Sequence, residues 1–563
     1  MEERRLLLAV ALSLLVLTAY QLVFAPAPRP SPAAAGAPAG SPAASPGVSP
    51  SAEPSAAAVP PVPRPTPSPV ARVADERERR VEVQGEDLLV AFANKGARLL
   101  SWKLEHYHDG RGRPEEMVLA VGEGSQSLDL ETGDAEVDAR LRAALFRPSV
   151  EHLVLRQGAA NELRFEWVEG DLEARKVLRF PPRGYLVEVE AAVRRGGQDL
   201  PVKALWGPGV GNPTAAEMEV QGYVPPQGVY LGPDGVHRTP PEKIGTQLPA
   251  AGARWIGVES RYFVALWVPP ARGLPAELRA VPVPALEEGK AGLGVAAAVG
   301  VSPAQEPARL YVGPKDYQIL SREDHDLGRV VDVGDWIGPI VVPLMALLRW
   351  VYSLTGNWGW AIILLTVLIN LVMAPFRHYS IANGLKMAKL APEMRAIQER
   401  YRKVPLLDPK RQDMQQEIGE LYARHGMSMG TQMAVGCLPI LLTMPFLIAF
   451  YRVLQVSIEL RGASFLWIAD LSQKDPYFIT PVLMGLSMFI MQRMVPTTMD
   501  PAQQRIMLIM PVVLSGMFLW APAGLNLYWL ASNVCSILQQ WLTLRLRRDR
   551  DTPSGNRKER RRA

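Results

Sequence analysis

The chain has 563 residues, 51 prolines, two cysteines and a formal net charge of +5. That length is too great for one compact domain, and the uneven composition excludes an array of like modules. Both cysteines, Cys437 and Cys535, lie in apolar surroundings, which excludes a disulfide framework and makes them small hydrophobes.

In chain order, residues 1–24 follow Arg4 and Arg5 with an apolar run, Leu6 to Phe24, long enough to cross a ~30 Å hydrocarbon core. An uncleaved anchor is expected, with a cleaved secretory signal as the alternative because Ala25-Pro-Ala27 offers small residues after it. Residues 25–72 are almost entirely Pro, Ala, Ser and Gly, an extended linker that cannot bury a core.

Residues 73–325 have a strand-like pattern. Leu163, Phe165 and Trp167 alternate on one face, Glu169-Gly170-Asp171 turns, and Leu172 resumes, so a hairpin is expected. Tyr185, Val187 and Val189 repeat the alternation, and many short strands with turn signals imply a β-sandwich. "GPGVGN" from Gly207 lacks the following helix a phosphate loop needs and reads as a turn. His106 and His108 lack further ligand groups nearby and read as a solvated strand end, so no metal site is expected.

Residues 332–356 are apolar, contain Pro339, Pro343 and Arg349, and carry Trp336, Trp350 and Tyr352, which favour the headgroup zone. An interfacial helix is expected there. Spans follow at 357–376, 434–454, 479–494, 505–521 and 524–544. With the first segment they make six crossings and put both termini inside. The basic segment 377–430 and the tail 545–563 fit that orientation, while the loop around "ELRGASFLWIADLSQKDP" is nearly charge-balanced, as an outer loop should be. The third and fourth of these spans fall short of the ~20 residues that cross comfortably, so they imply locally thinned lipid.

Polar residues interrupt these spans. Thr366 and Asn370 are four apart and share a helix face, which Met373 and Arg377 continue. Asn526 and Asn533 mark another face, with Tyr528, Trp529, Ser532 and Ser536 near it. Such amides serve either as interhelical glue, worth ~0.6–2 kcal/mol each, or as the lining of a wet cavity. Between the spans, 377–430 reads as a basic helical hairpin capped by Asp408 and stopped by Gly426. Its Lys386, Lys389, Arg395 and Arg400 are candidate contacts for anionic lipid or ribosomal RNA. Helical methionines such as Met387, Met394 and Met414 read as packing or as an adaptable apolar surface.

Two other function classes compete. A secondary transporter would also place polar residues in spans, but no inverted repeat and no mid-span acid is evident. An anchored carbohydrate-processing enzyme would need paired carboxylates or a histidine base in the sandwich, and no convincing set appears.

Long stretches resemble one family. "CLPILLTMPFLIAFY", "ELRGASFLWIADLSQKDPYFITPVLMG", "QRMVPTTMDPAQQRIM" and "FLWAPAGLNLYWLASNVCSILQQ" are similar to YidC-type membrane protein insertases of Gram-negative bacteria, from about Asp332 to Arg548. In the exported half the likeness is thinner, resting on "NKGARL", "LWGPGVG", "WIGVESRYFVAL" and "LYVGPKDY". The resemblance implies a polytopic α-helical membrane protein, an N-terminal anchor plus a five-helix insertase core, with an inserted all-β periplasmic sandwich similar to sugar-mutarotase folds. It implies a non-enzymatic insertase and chaperone without cofactors. Nascent inner-membrane proteins would enter a hydrophilic groove open to cytoplasm and lipid, alone or with the Sec translocon. The ribosome and the phospholipid bilayer are its expected partners, with no specific DNA binding. The polar faces described above, Thr366, Asn370, Arg377, Asn526, Tyr528, Trp529, Ser532 and Asn533, are the expected lining of that groove. Asn370 departs from the pattern, because most members carry a groove arginine there. Arg377, two turns further on, is the candidate to supply that charge.

Overall fold

The structure, a computed structural model, describes residues 72–551 apart from 120–125, 214, 220–222, 224, 246–251, 270–275, 284–291, 303–305, 324, 335, 402–403, 405–407, 409, 426–443 and 495–500. The apolar segment Leu6 to Phe24, nearly all of the linker, Gly426, Cys437, the first half of the 434–454 span and most of the basic tail lie outside the described residues.

Alternating apolar residues build the sandwich. Glu162–Glu169 and Leu172–Arg179 pair antiparallel with Glu169 opposite Leu172, so the turn is Gly170-Asp171, with Gly170 at φ +66°. Leu163, Phe165 and Trp167 all point into the core, as their alternation requires. This hairpin belongs to a ten-stranded sheet in which Leu186–Arg195 links it to Ala308–Pro314 and Phe263–Val268. A five-stranded sheet around Arg98–His108 and a four-stranded sheet around Gly292–Val301 pack against it. Phe92 meets Phe165 across the layers with centroids 5.7 Å apart, and Trp102 meets Trp206 edge-on at 5.9 Å. Such pairs add ~0.5–1.5 kcal/mol beyond their buried area. In the glycine-rich turn, a Cβ on Gly207 would lie 2.5 Å from the Ala296 Cα, so the backbones are in contact there and leave no phosphate cradle. His106 and His108 are exposed at a strand end, and His106 pairs with Asp87 at 3.1 Å.

One core position is a lysine. Lys176 occupies the inward slot between Ala174 and Leu178, and its Nζ donates to the carbonyls of Ala97 (2.7 Å) and Leu128 (2.6 Å). Burial pulls its pKa down to about 7, partly opposed by Asp129. The folded pKa lies below the unfolded one, so between about 7 and ~10.5 only the unfolded state holds the extra proton, and raising the pH favours folding. We expect the sandwich's melting temperature, followed through its tryptophans in the full chain, to rise by ~3–6 °C per pH unit in that window, one proton being worth ~1.4 kcal/mol per unit. Lys176→Met should abolish the slope; an unchanged slope would mean that another group sets it.

Helix α1 (Ala135–Ala143) and the short α2 (Tyr317–Arg322) belong to the sandwich, each capped by an aspartate, Asp134 and Asp316. Next comes α3 (Gly338–Thr355), which tolerates Pro339 in its first turn and ends at Gly356 in the left-handed conformation. Asn357 caps α4 (Trp358–Arg400) by accepting from the amides of Gly359 and Trp360. The helix runs 43 residues through Pro375 and Pro392. The expected boundary between residues 376 and 377 is therefore no helix end: the first arm of the hairpin continues the helix that starts at Trp358. The residues beyond Pro375 form helix readily, so leaving an apolar layer does not oblige the helix to stop.

The second arm, α5 (Lys410–Arg424), folds back on α4. Leu390, Met394 and Ile397 meet Met414, Ile418, Leu421 and Tyr422 in a small separate core. Arg400 and Tyr401 both reach Glu417, at 2.8 and 2.9 Å, while the Asp408 carboxylate accepts from the Lys410 amide at 3.0 Å. Lys386, Lys389 and Arg395 are exposed.

The remaining helices are α6 (Met444–Val456), α7 (Ile479–Met494), α8 (Pro501–Met517) and α9 (Ala523–Asp551). At 16 and 17 residues α7 and α8 are short, ~24–26 Å each. They approach closely: a Cβ on Gly485 would lie 2.8 Å from that of Ser515, whose hydroxyl donates to the Pro481 carbonyl. Leu371 and Val372 on α4, Val482 and Leu486 on α7, and Ile509 and Val512 on α8 expose large apolar side chains, a surface suited to lipid.

Candidate functional site

A polar seam runs between the apolar stretches of two helices, α4 and α9. It begins at Thr366, fully buried, whose hydroxyl donates to the Ile362 carbonyl one turn back at 2.7 Å. One turn on, the Asn370 amide nitrogen donates to the Thr366 carbonyl at 2.8 Å, leaving its oxygen as an acceptor. Arg377 takes that acceptor. Helical side chains lean toward the N-terminus of their helix, so the long Arg377 stem turns back along α4, and one guanidinium nitrogen lies 2.6 Å from both the Asn370 oxygen and the Ser536 hydroxyl of α9. Ser536 in turn donates to the Ser532 carbonyl at 2.8 Å. The cation therefore sits at the level of Asn370, about 18 Å along α4 from Trp358.

Beyond this point the seam continues. Gln539 donates to the Ala374 carbonyl at 2.7 Å, and His378 meets the Thr543 hydroxyl at 3.2 Å. Here the helices part around a cavity of about 640 Å³ whose lining includes Pro375, His378, Tyr379, Lys386, Gln539 and Thr543. The seam thus carries a fixed cation, and at its end lies a cavity with Lys386 at the edge.

The other sequence-derived candidates lie elsewhere. Asn526, in the first turn of α9, donates to the Phe518 carbonyl at 3.1 Å and is fully buried, roughly 15 Å along the helix from Ser536. Tyr528 stacks on Phe450 of α6 at 4.1 Å, and Trp529 meets Phe518 edge-on at 4.9 Å. Asn533 turns to the other side of α9 and donates to the Ser487 hydroxyl of α7 at 2.9 Å. Asn526 and Asn533 thus bond to neighbouring elements, whereas Thr366, Asn370 and Arg377 form the seam with Ser536, to which Ser532 contributes its backbone carbonyl. Gln539 and Thr543 were missed, although Ser532, Ser536, Gln539 and Thr543 recur at spacings of four, three and four, one helix face. The hairpin residues Lys386, Lys389, Arg395 and Arg400 all follow the seam on α4, and Lys386 alone of the four borders the cavity.

Comparison with known proteins agrees with both halves. Residues 80–368 match the family model described as the YidC periplasmic domain, and residues 350–550 match the 60Kd inner membrane protein model. The membrane protein insertase YidC of Geobacter sulfurreducens is 32% identical over 465 residues, covering 80% of this chain and 83% of that one. That of Aromatoleum aromaticum is 39% identical over 307 residues, 52% of this chain and 51% of its own. A crystal structure of an active YidC insertase with its first transmembrane domain resolved aligns over 84% of this chain and 93% of its own, at 17% identity and a TM-score of 0.34. The sequence matches suffice: the chain belongs to the YidC family of membrane protein insertases.

Proposed function

We propose that this chain inserts nascent proteins into the bacterial inner membrane and helps them fold, with the α4–α9 seam receiving the hydrophilic segment that must cross. The observation that carries this reading is the Arg377 guanidinium held against Asn370 and Ser536 between the apolar stretches of α4 and α9. A charge there is costly unless it serves a ligand, and its hydrogen-bond partners on the protein are neutral. An acidic client tail would complete the pairing. Polar lining lowers the desolvation cost of that tail, and the short α7 and α8 favour thinned lipid, which shortens the remaining path. Burial of the client's apolar helix, at ~25 cal/mol per Å², supplies the driving force without nucleotide.

In this reading Leu6 to Phe24, α4, the 434–454 segment, α7, α8 and α9 cross the membrane, both termini are cytoplasmic, and the sandwich is periplasmic. Helix α3 lies along the outer surface. It is long and apolar enough to cross, but Arg349 near its C-terminal end bonds Asp316 at the foot of the sandwich (2.9 Å) and Glu459 of the outer loop (2.6 Å), which favours a surface position. The α4–α5 hairpin would face the ribosome and anionic lipid, and the Sec translocon would share some clients. Reconstituted in liposomes, the full-length chain is expected to bring a short single-span client to a protease-protected position without nucleotide. Solute uptake without client insertion would overturn the proposal in favour of a transporter.

A further inference from the structure

The loop between α6 and α7 is the joint where the sandwich meets the helices, and its one deeply buried cation is directed at the sandwich. Arg461 is 8% exposed at its side chain. Its Nε donates to Glu217 at 2.5 Å, and Nη1 donates to Glu115 at 2.7 Å and to the His108 carbonyl at 3.3 Å. The guanidinium also lies 5.2 Å from the Phe263 ring and 5.9 Å from that of Tyr262. These partners come from well-separated parts of the sandwich chain, so the side chain collects them at one point. Three residues earlier Ile458 is buried within the sandwich's own hydrophobic core, and Lys474 pairs with Glu219 at 2.6 Å.

The same loop is built into the helix ends. The carbonyls of Leu471 and Gln473 accept from the amides of Gly524 (2.9 Å) and Ala523 (2.7 Å) at the start of α9. Asp475 accepts from Thr480 at the start of α7, and Phe465 abuts Gly359 at the start of α4. Loosening the loop from the sandwich would therefore loosen the shared ends of three helices.

We propose that Arg461 is a positioning residue that fastens the sandwich to the loop 457–475, making the sandwich a fixed brace over the outer end of α4, α7 and α9. A buried guanidinium bound to two carboxylates is costly to break from one side, because the remaining charges are left unpaired and pull water in. The brace does not depend on what passes along the seam.

The test uses the full-length chain in nanodiscs, with Cys437 and Cys535 replaced by serine and spin labels on cysteines introduced at Glu173 of the sandwich and Leu486 of α7. The parent should give one narrow distance distribution. Arg461→Ala should broaden it and speed amide exchange across 457–475 by at least about tenfold, with the strands Glu162–Arg179 unchanged. Should that variant fail to fold, Arg461→Lys, which keeps a cation but loses the fork, should still speed exchange in the loop alone. A narrow distribution and unchanged loop exchange in whichever variant folds would overturn the proposal, whether or not insertion is affected.

Discussion

Replacing Arg377 by alanine should slow insertion of clients with acidic translocated tails by about tenfold or more, while clients with neutral tails stay within about twofold. Two unit charges ~4 Å apart at an effective dielectric of ~20 attract by ~4 kcal/mol, and a third of that is already a tenfold change in rate. Asn370→Ala should do less, since it removes one acceptor of the guanidinium and leaves Ser536 to hold it. Asn370→Arg on its own would bring two guanidinium groups together and is expected to impair insertion. Combined with Arg377→Ala, the same change returns a single cation to the same level of α4 and should restore the acidic-tailed clients. Equal losses for acidic and neutral clients in Arg377→Ala would show that the arginine only holds the helices together.

The second large effect is expected far from the seam. Gly359, in the first turn of α4, has no room for a methyl group: a Cβ there would lie 2.1 Å from one ring carbon of Phe465 and 2.2 Å from another. Phe465 is nearly buried and meets Trp360 edge-on at 5.5 Å. In Gly359→Ala the ring must leave, which forfeits burial comparable to a Phe→Ala change, ~3–5 kcal/mol. Because the same loop holds the first turn of α9, the damage should spread. We expect a melting temperature lower by ~5–10 °C in detergent, together with faster exchange at the starts of α4 and α9. A shift within about 1 °C would mean that the ring finds another site at no cost.

The sequence carried some of this organisation openly. The hairpin of Leu163, Phe165 and Trp167 followed from alternation and a glycine, both local signals. Thr366 and Asn370 were legible as one face because four residues make about one turn, and Arg377 extended that face. What stayed hidden depended on distant chain. Lys176 sits in a slot that alternation assigns to the core, but lysine argues for the surface, and the carbonyls that satisfy it belong to residues 79 and 48 positions away. Ser536 and Gln539 became seam residues only once α9 packed on α4. Asn526 and Asn533 share a spacing of two turns, yet each found a different neighbour, since a short polar side chain takes whichever partner lies within reach. The outer loop read as charge-balanced, but balance conceals pairing. Arg461 meets carboxylates 244 and 346 residues away.

If the seam is the path of the client, its polar face must touch the client's hydrophilic flank. Photo-crosslinkers placed at Ser536 and Gln539 on α9, and at Val372 and Leu538 on the opposite faces of α4 and α9, should be compared with a ribosome-stalled membrane protein engaged. Ser536 and Gln539 are expected to capture the hydrophilic flank of the client while Val372 and Leu538 capture lipid. Capture of that flank from Val372 and Leu538 with silence at Ser536 and Gln539 would contradict it.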